Sequence, residues 1–165
     1  MQRVAKFEKV SFEQFKKDWA DTFYVTDGIE KIYEDIKLPK RATAGSAGYD
    51  FYSPMAFELK PGETIKIPTG IRVKINDGWV LKLYPRSGLG FKFRVQMNNT
   101  VGIIDSDYYN SDNEGHIFCK DTNEDKTVSV NKGTGFCQGI FVEYGITFDD
   151  DVTDERNGGF GSTGM

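Results

Sequence analysis

Histidine, cysteine and proline are scarce in this chain of 165 residues, which has one histidine, two cysteines and five prolines. His116 has no second histidine or Cys-x-x-Cys pair to join it, so an ordinary zinc site is not expected. Cys119 and Cys137 lie in apolar surroundings, which favours small buried thiols over a disulfide framework. The scarcity therefore argues against folds that are built around zinc or disulfides.

Long apolar runs and an excess of positive charge are also missing. No run approaches membrane-spanning length, and the first residues are not followed by a signal-peptide core, so we expect a soluble, cytoplasmic protein. The net charge of −4 argues against a general nucleic-acid binder, which needs a basic face. Locally, Lys82, Arg86, Lys92 and Arg94 surround one glycine-rich turn and can meet a small polyphosphate, although solvated surface charge explains them equally well.

The chain is long enough for one domain with a sizeable core. After Leu38, short stretches of alternating apolar residues are separated by tight turns, which predicts an all-β barrel or jelly roll. The turn at residues 76–78 (NDG) predicts a hairpin. Residues 116–120 and 126–130 are predicted to form a second hairpin.

The first 36 residues have a different pattern. Residues 11–23 are predicted to form a helix that Ser11 caps, with Gln14 as its capping-box partner. Residues 29–36 give a shorter helical pattern, although 33–37 also fits a strand. The helix carries an aromatic stripe that we expect to pack on a small core of its own, with a partner-binding face as the alternative; the stripe consists of Phe12, Phe15, Trp19 and Phe23.

The central stretch is residues 101–108 (VGIIDSDY), in which an apolar run leads directly to a carboxylate. This pattern predicts a buried strand that ends at Asp105. If the chain stays extended, Asp105 and Asp107 point the same way and Tyr108 the other. Such an end can hold a water and a sugar, or can be a polar strand exit without a function.

Four further stretches accompany this segment, and two of them have residues that suit phosphates or a nucleotide base. Residues 85–88 (PRSG) offer a cation, a hydroxyl and backbone N–H groups, which suit phosphates, but they also fit an ordinary turn. Residues 158–164 (GGFGSTG) place Phe160 between glycines, where its ring can stack on a base, whereas the composition alone also fits a floppy terminus. The other two stretches are residues 47–50 (AGYD) and 135–138 (GFCQ).

In this order and spacing, the five stretches closely resemble the five motifs of the trimeric dUTP diphosphatases (dUTPases), from about Lys37 to the C-terminus. The resemblance implies a dUTPase-like distorted jelly-roll β-barrel with an N-terminal helical extension. The segments would be residues 1–36 (extension), 37–148 (barrel) and 149–165 (flexible arm with the glycine-rich lid). It also implies a homotrimer with shared active sites and Mg²⁺-dependent hydrolysis of dUTP to dUMP and pyrophosphate.

The resemblance assigns roles residue by residue. Asp105 would hold the attacking water, and Gln138 would bind that water or the phosphates. Asp50 would accept from waters on Mg²⁺, which is otherwise held mainly by substrate phosphates. The substrate-binding residues implied are Arg86, Ser87 and Gly88 at the phosphates, Asn99, Ile103, Ile104 and Tyr108 at the nucleoside, and Arg156, Phe160, Gly161, Ser162 and Thr163 in the arm.

The chain departs from the family pattern at several positions. Gly135 stands where the family usually has arginine, and Cys137 where it usually has alanine. Tyr109 and Asn110 replace a charged or amide residue followed by glycine, and the connection from Tyr108 to Lys132 is about four residues longer. Only one residue, Asn157, separates Arg156 from the glycines.

Two other functions fit the same sequence. A dCTP deaminase of the same fold, possibly bifunctional, would release ammonia from dCTP. A regulatory protein-binding module would use the N-terminal helices or the connection at residues 110–115.

Overall fold

A computed structural model describes residues 1–156 and 158. Three α-helices and one 3-10 helix occur in this part of the chain: α1 (Phe12–Phe23), α2 (Ile29–Glu34), α3 (Ser87–Phe93) and the 3-10 helix Ser106–Asn110. The strands are β1 (Ala5–Lys9), β2 (Lys40–Arg41), β3 (Tyr49–Tyr52), β4 (Phe57–Leu59), β5 (Thr64–Pro68), β6 (Ile71–Ile75), β7 (Trp79–Pro85), β8 (Val95–Met97), β9 (Gly102–Ile104), β10 (Phe118–Asn123), β11 (Val128–Val130) and β12 (Gly135–Glu143).

The strands form antiparallel sheets, which confirms the predicted all-β class. The largest sheet has the order β2-β3-β12-β7-β9, and a second has the order β5-β10-β8. Strands β1 and β6 form a pair, as do β4 and β11. Alternate residues of the strands, such as those in β6, bury their side chains in one core, because successive side chains of a strand point to opposite faces.

Both predicted hairpins are wrong in their pairing. The turn at 76–78 exists, and Trp79 N–H donates to the Asn76 carbonyl at 3.2 Å. However, β6 pairs with β1, whereas β7 pairs with β12 and β9. Likewise β10 pairs with β5 and β8, and β11 pairs with β4. A turn sequence reverses the chain locally, but the strand partner depends on which faces can be buried together.

The N-terminal helices pack on a small core of their own, as predicted. Phe15 and Trp19 of α1 are buried against Ile29 of α2 and Val10. The alternative strand at 33–37 does not form, since α2 runs to Glu34 and a turn follows. Strand β1, which sequence patterns did not predict, joins this region to the barrel through β6.

The predicted cap of α1 is half correct. Ser11 Oγ accepts from Gln14 N–H at 3.2 Å. The reciprocal bond of a capping box is missing, because the Ser11 N–H donates to Glu114 at 2.8 Å. The Gln14 side chain donates instead to Asp18.

Cys119 and Cys137 are buried free thiols, as predicted. The contact with Cys137, together with burial, raises the pKa of the Cys119 thiol. Within the described part of the chain, no helix has the length and apolar content to cross a membrane.

Candidate functional site

Asp105 directly follows β9 and precedes the 3-10 helix. The predicted extended conformation therefore stops at Asp105, and the next residues coil. Even so, Asp105 and Asp107 contact the same cation: Arg156 donates from Nη2 to Asp105 at 2.6 Å and from Nε to Asp107 at 2.9 Å. Asp105 remains half exposed, which suits a carboxylate that must meet a ligand and water.

Tyr108 is buried beside this carboxylate. Its hydroxyl donates to the His116 carbonyl at 2.5 Å and accepts from the Asn113 side chain at 2.8 Å. Burial raises the pKa of Tyr108 to about 12, which the Asn113 hydrogen bond partly offsets. The ring is therefore a neutral, fixed wall, and the Arg156 guanidinium carbon lies 5.9 Å from its centroid.

A pocket of about 310 Å³ lies next to the same strand end. Asn99, Gly102 and Ile104 line it, whereas Ile103 is half exposed and lies outside the lining. A side chain at Gly102 would place its Cβ 3.0 Å from the Leu83 Cβ, so glycine allows the close approach of β9 and β7. The remaining lining residues come from four other parts of the chain: Lys66, Leu83, Met97, Asn98, Phe118 and Lys120.

Arg86, Ser87 and Gly88 lie at the far end of β7. Arg86 is the N-cap of α3, so the predicted turn is the start of a short helix. A groove of about 500 Å³ runs past Arg86, Ser87 and Gln138. A Cβ at Gly135 would lie 3.0 Å from the Arg86 Nη1, so this glycine gives the Arg86 guanidinium its space.

Asp50 and Gln138 flank Arg86 on neighbouring strands. They lie directly opposite each other on β3 and β12. Asp50 forms an ion pair with Arg86, with 3.3 Å between Oδ1 and Nε, and Gln138 donates to the Pro85 carbonyl at 3.2 Å. A Cβ at Gly48 would come within 2.7 Å of the Gln138 Oε1, so a larger residue there would displace the Gln138 side-chain amide.

The donor set fits a hydrated magnesium ion but not a buried metal centre. Across residues 1–156 and 158, no group of three or more His, Cys, Asp or Glu side chains is placed to hold a metal. A lone carboxylate such as Asp50 suits Mg²⁺, which keeps several waters and binds largely through substrate phosphates.

Asp105 and Arg86 lie beside opposite ends of β7, and Gly102 of the pocket lies between them, opposite Leu83. Leu81 of β7 is in register with Ile104, so Asp105 is next to the start of β7. Arg86 follows the end of the same strand. At about 3.3 Å per residue, the strand separates them by about 20 Å. We call one set of residues the Asp105 side (Asn99, Gly102, Ile104, Asp105, Tyr108 and Arg156) and the other the Arg86 side (Asp50, Arg86, Ser87, Gly88 and Gln138).

Some predicted residues lie outside the described part of the chain, namely Phe160, Gly161, Ser162 and Thr163.

Other residues were missed by the sequence analysis. Lys66, Phe118 and Lys120 line the pocket, but they belong to strands whose pairing the sequence did not predict. The sequence analysis predicted only the direction of the Asp107 side chain. It missed the ion pair between Asp107 and Arg156, which are 49 residues apart in sequence.

Comparison with known proteins gives a consistent result. The dUTPase family matches residues 34–164. A deoxyuridine 5'-triphosphate nucleotidohydrolase from Lactococcus lactis is 43% identical over 133 residues, covering 78% of this chain and 89% of that protein. One from Dictyoglomus turgidum is 37% identical over 147 residues, covering 83% and 97%.

Solved structures agree with this. A crystal structure of dUTPase from Streptococcus mutans has a TM-score of 0.62 at 34% identity and covers 86% of this chain and 97% of that chain. A mutant dUTPase from phage phi11 of S. aureus, in which a structural Mg(II) ion is coordinated, has a TM-score of 0.64 at 20% identity and covers 92% and 98%. At that identity the phage protein supports the fold alone.

Proposed function

The chain belongs to the dUTPase family, and we propose that it hydrolyses dUTP to dUMP and pyrophosphate. The observation that carries this proposal is the position of Asp105 between a half-enclosed pocket and a buried tyrosine. The pocket has the size for one pyrimidine ring, and the carboxylate follows directly from the strand that lines it.

Asp105 acts by orienting water. As a carboxylate it is a weak base but a good acceptor, so it holds the water in line with the α-phosphorus and also accepts from the sugar 3'-hydroxyl. Water attacks the α-phosphorus, the bond to the bridging oxygen breaks, and pyrophosphate leaves. Arg156 forms an ion pair with Asp105 in this structure, and this ion pair has to open when nucleotide and water bind.

Asn99, Ile104 and Tyr108 select the nucleoside. Asn99 has a side-chain amide, which can both donate to and accept from a uracil edge. Ile104 and Gly102 form the wall, and a closed wall rejects the thymine methyl group by shape. The fixed Tyr108 ring lies under the sugar and leaves no room for a 2'-hydroxyl.

Arg86, Ser87 and Gly88 bind the phosphates. Arg86 supplies a forked charge, and the N–H groups of Ser87 and Gly88, at the start of α3, have no acceptor within that helix, whereas those of Leu89 and Gly90 donate to the Arg86 carbonyl. Gln138 holds the water or a phosphate oxygen. Asp50 would hold Mg²⁺ through water, and the bound ion supplies charge neutralisation for the phosphates.

The separation of the two sides supports a homotrimer with shared sites. If Asp105 holds the water at the α-phosphorus, the other two phosphates lie close to Asp105, and Arg86 of the same subunit is about 20 Å away along β7. A symmetric oligomer places the Arg86 side of one subunit against the Asp105 side of another. Half-exposed Ile103, on the pocket strand β9 but outside the pocket lining, fits an interface in this arrangement.

We also propose a role for each of the three predicted segments. Residues 37–148 form the catalytic barrel, and residues 149–165 form an arm that brings Phe160, Gly161, Ser162 and Thr163 over bound nucleotide. Arg156 would exchange its carboxylate partners for the γ-phosphate. Residues 1–36 form the extension, which also contributes β1 to the sheet with β6.

The test is pyrophosphate release from dUTP, dTTP, dCTP and UTP with and without Mg²⁺. We expect turnover of dUTP only, and only with the metal. Equal turnover of dUTP and dTTP, or turnover of neither, would contradict the proposal. Ammonia release from dCTP in the same samples would identify a deaminase instead.

A further inference from the structure

The N-terminal segment contacts the connection between Asp105 and His116 at three points. All three pairs are hydrogen-bonded at 2.8 Å or less: Glu8–Tyr109, Ser11–Glu114 and Asp18–His116. We call these pairs the clasp. Strand β1 supplies the first, the cap of α1 the second and the body of α1 the third, so a segment remote in sequence holds the loop that carries Asp105 and Tyr108.

The third pair is buried. His116 is fully inaccessible, and its Nδ1 lies 2.5 Å from the Asp18 carboxylate. Its Nε2 accepts from the Gly70 N–H at 2.8 Å. Because Nε2 accepts, the ring proton is on Nδ1 and is donated to Asp18. The imidazole is therefore neutral, in one tautomer and one orientation.

Asp18 is suited to this role as a carboxylate. Partial burial raises the pKa of Asp18, but hydrogen bonds from His116 and from Gln14 outweigh it and lower the pKa below its ordinary value. Helix α1 thus presents a charged acceptor that is itself held in place by Gln14, which donates to it at 2.9 Å.

The backbone of His116 fixes Tyr108. The Tyr108 hydroxyl donates to the His116 carbonyl at 2.5 Å, and Asn113 donates to the same hydroxyl at 2.8 Å. A hydrogen-bonded path therefore runs from Asp18 through His116 to the Tyr108 ring. Any shift of His116 moves the acceptor that sets the position of this ring.

We propose that Asp18 and His116 are positioning residues for Tyr108, so that helix α1 sets how strongly the site rejects a 2'-hydroxyl. This rests on the proposed function, in which Tyr108 lies under the deoxyribose. A small shift of the Tyr108 ring, by less than the length of a hydrogen bond, would leave space for the oxygen atom of a 2'-hydroxyl. Small misplacements of positioning groups have large effects on rate. In this proposal, the N-terminal extension contributes to the selection of deoxyribose over ribose.

The main experiment compares Asp18→Ala with wild type in kcat and KM for dUTP and for UTP. We expect the ratio of kcat/KM for dUTP to that for UTP to fall about tenfold, chiefly because UTP improves. Asp18→Asn, whose amide oxygen still accepts from Nδ1, should retain most of the ratio. Asp21→Ala is the matched control, since Asp21 is an exposed aspartate on the same helix.

A double-mutant cycle tests the path. The Tyr108→Phe variant lacks the hydroxyl that donates to the His116 carbonyl. In this background, Asp18→Ala should not change the ratio of kcat/KM for dUTP to that for UTP any further. An unchanged ratio in folded Asp18→Ala, or an additive effect in the Phe background, overturns the proposal. If Asp18→Ala does not fold, Asp18→Ser, which is too short to reach His116, takes its place under the same criteria.

Amide hydrogen exchange separates this proposal from the proposed function. In Asp18→Ala, residues 106–116 should exchange faster than in wild type, whereas β12 should be unchanged. This readout needs no turnover, so it tests the clasp even if wild type fails to hydrolyse dUTP. Unchanged exchange at 106–116 overturns the clasp, and absent dUTP turnover with faster exchange overturns only the function.

Discussion

The Asp105 side and the Arg86 side both border β7 but are built differently. The Asp105 side is the more enclosed: strand residues form most of its pocket, and Tyr108 is buried and hydrogen-bonded. The Arg86 side is open: the Arg86 side chain is 42% exposed, and α3 has no buried residue. Strand β7 therefore borders both a more enclosed pocket and an exposed groove.

The difference follows from what each side is proposed to bind. Rejection of a methyl or a hydroxyl requires fixed walls, because contacts alone discriminate poorly between such small changes. Phosphate oxygens are held by charge and N–H groups, which work at a surface. The predictions below test whether the two sides are separate in this sense.

The largest effect is expected for Asp105→Asn. An amide no longer orients the water as a carboxylate does, so kcat should fall about 10³- to 10⁴-fold, or about 4 to 5.5 kcal/mol, with little change in dUTP affinity. Single-turnover hydrolysis and binding of a non-hydrolysable analogue measure the two quantities. Asp107→Asn is the control and should cost less than tenfold. A comparable loss in both variants would contradict a special role for Asp105.

A pH dependence of stability should come from one buried carboxyl group, that of Asp121 on β10. Asp121 is in register with Met97, which lines the pocket, and its Oδ1 has no hydrogen-bond partner among the described residues. Burial raises the pKa of Asp121 to about 7. The folded state thus keeps a proton that the unfolded chain releases near pH 4, so stability falls as pH rises from about 4 through 7, by up to about 4 kcal/mol.

Urea unfolding at pH 5 and pH 8 measures this difference. Asp121→Asn should flatten the dependence, because the amide does not titrate. Exposed Asp125→Asn is the matched control and should leave the slope as in wild type. An unchanged slope in Asp121→Asn would show that another group is responsible.

Mixing two inactive variants tests whether the sides act in trans. Asp105→Asn and Arg86→Ala damage different sides, so in mixed oligomers about one quarter of the shared sites combine two intact sides. Co-expression should restore about one quarter of wild-type dUTP hydrolysis. Asp105→Asn mixed with wild type should give about half. No recovery in the first mixture would mean that both sides act within one chain.

The smallest effect is expected for Gly102→Ala. The added Cβ would lie 3.0 Å from the Leu83 Cβ, so β9 must shift by a few tenths of an ångström and narrow the pocket. We expect KM for dUTP to rise about fivefold with kcat nearly unchanged, since the Arg86 side is untouched. Gly145→Ala, with open space around it, is the control. A fall in kcat instead would show that the two sides are mechanically coupled.

Local patterns predicted much of this molecule. The spacing of residues predicted three features: the Ser11 cap, the stripe with Phe15 and Trp19, and the strand that ends at Asp105. Each depends on residues only a few positions apart. The order of five motifs indicated the family. The partners of β6 and β10 were not readable, since alternation shows that a strand has a buried face but not which strand lies beside it.

The sequence by itself determined where elements begin, which faces are apolar and which side chains can bind phosphate. Only the tertiary structure decided that Asp18 meets His116 across 98 residues, that Lys66 and Phe118 share a pocket, and that Asp105 and Arg86 lie at opposite ends of one strand. The reason is physical: backbone geometry acts over a few residues, whereas burial brings together segments of any separation once the chain is packed.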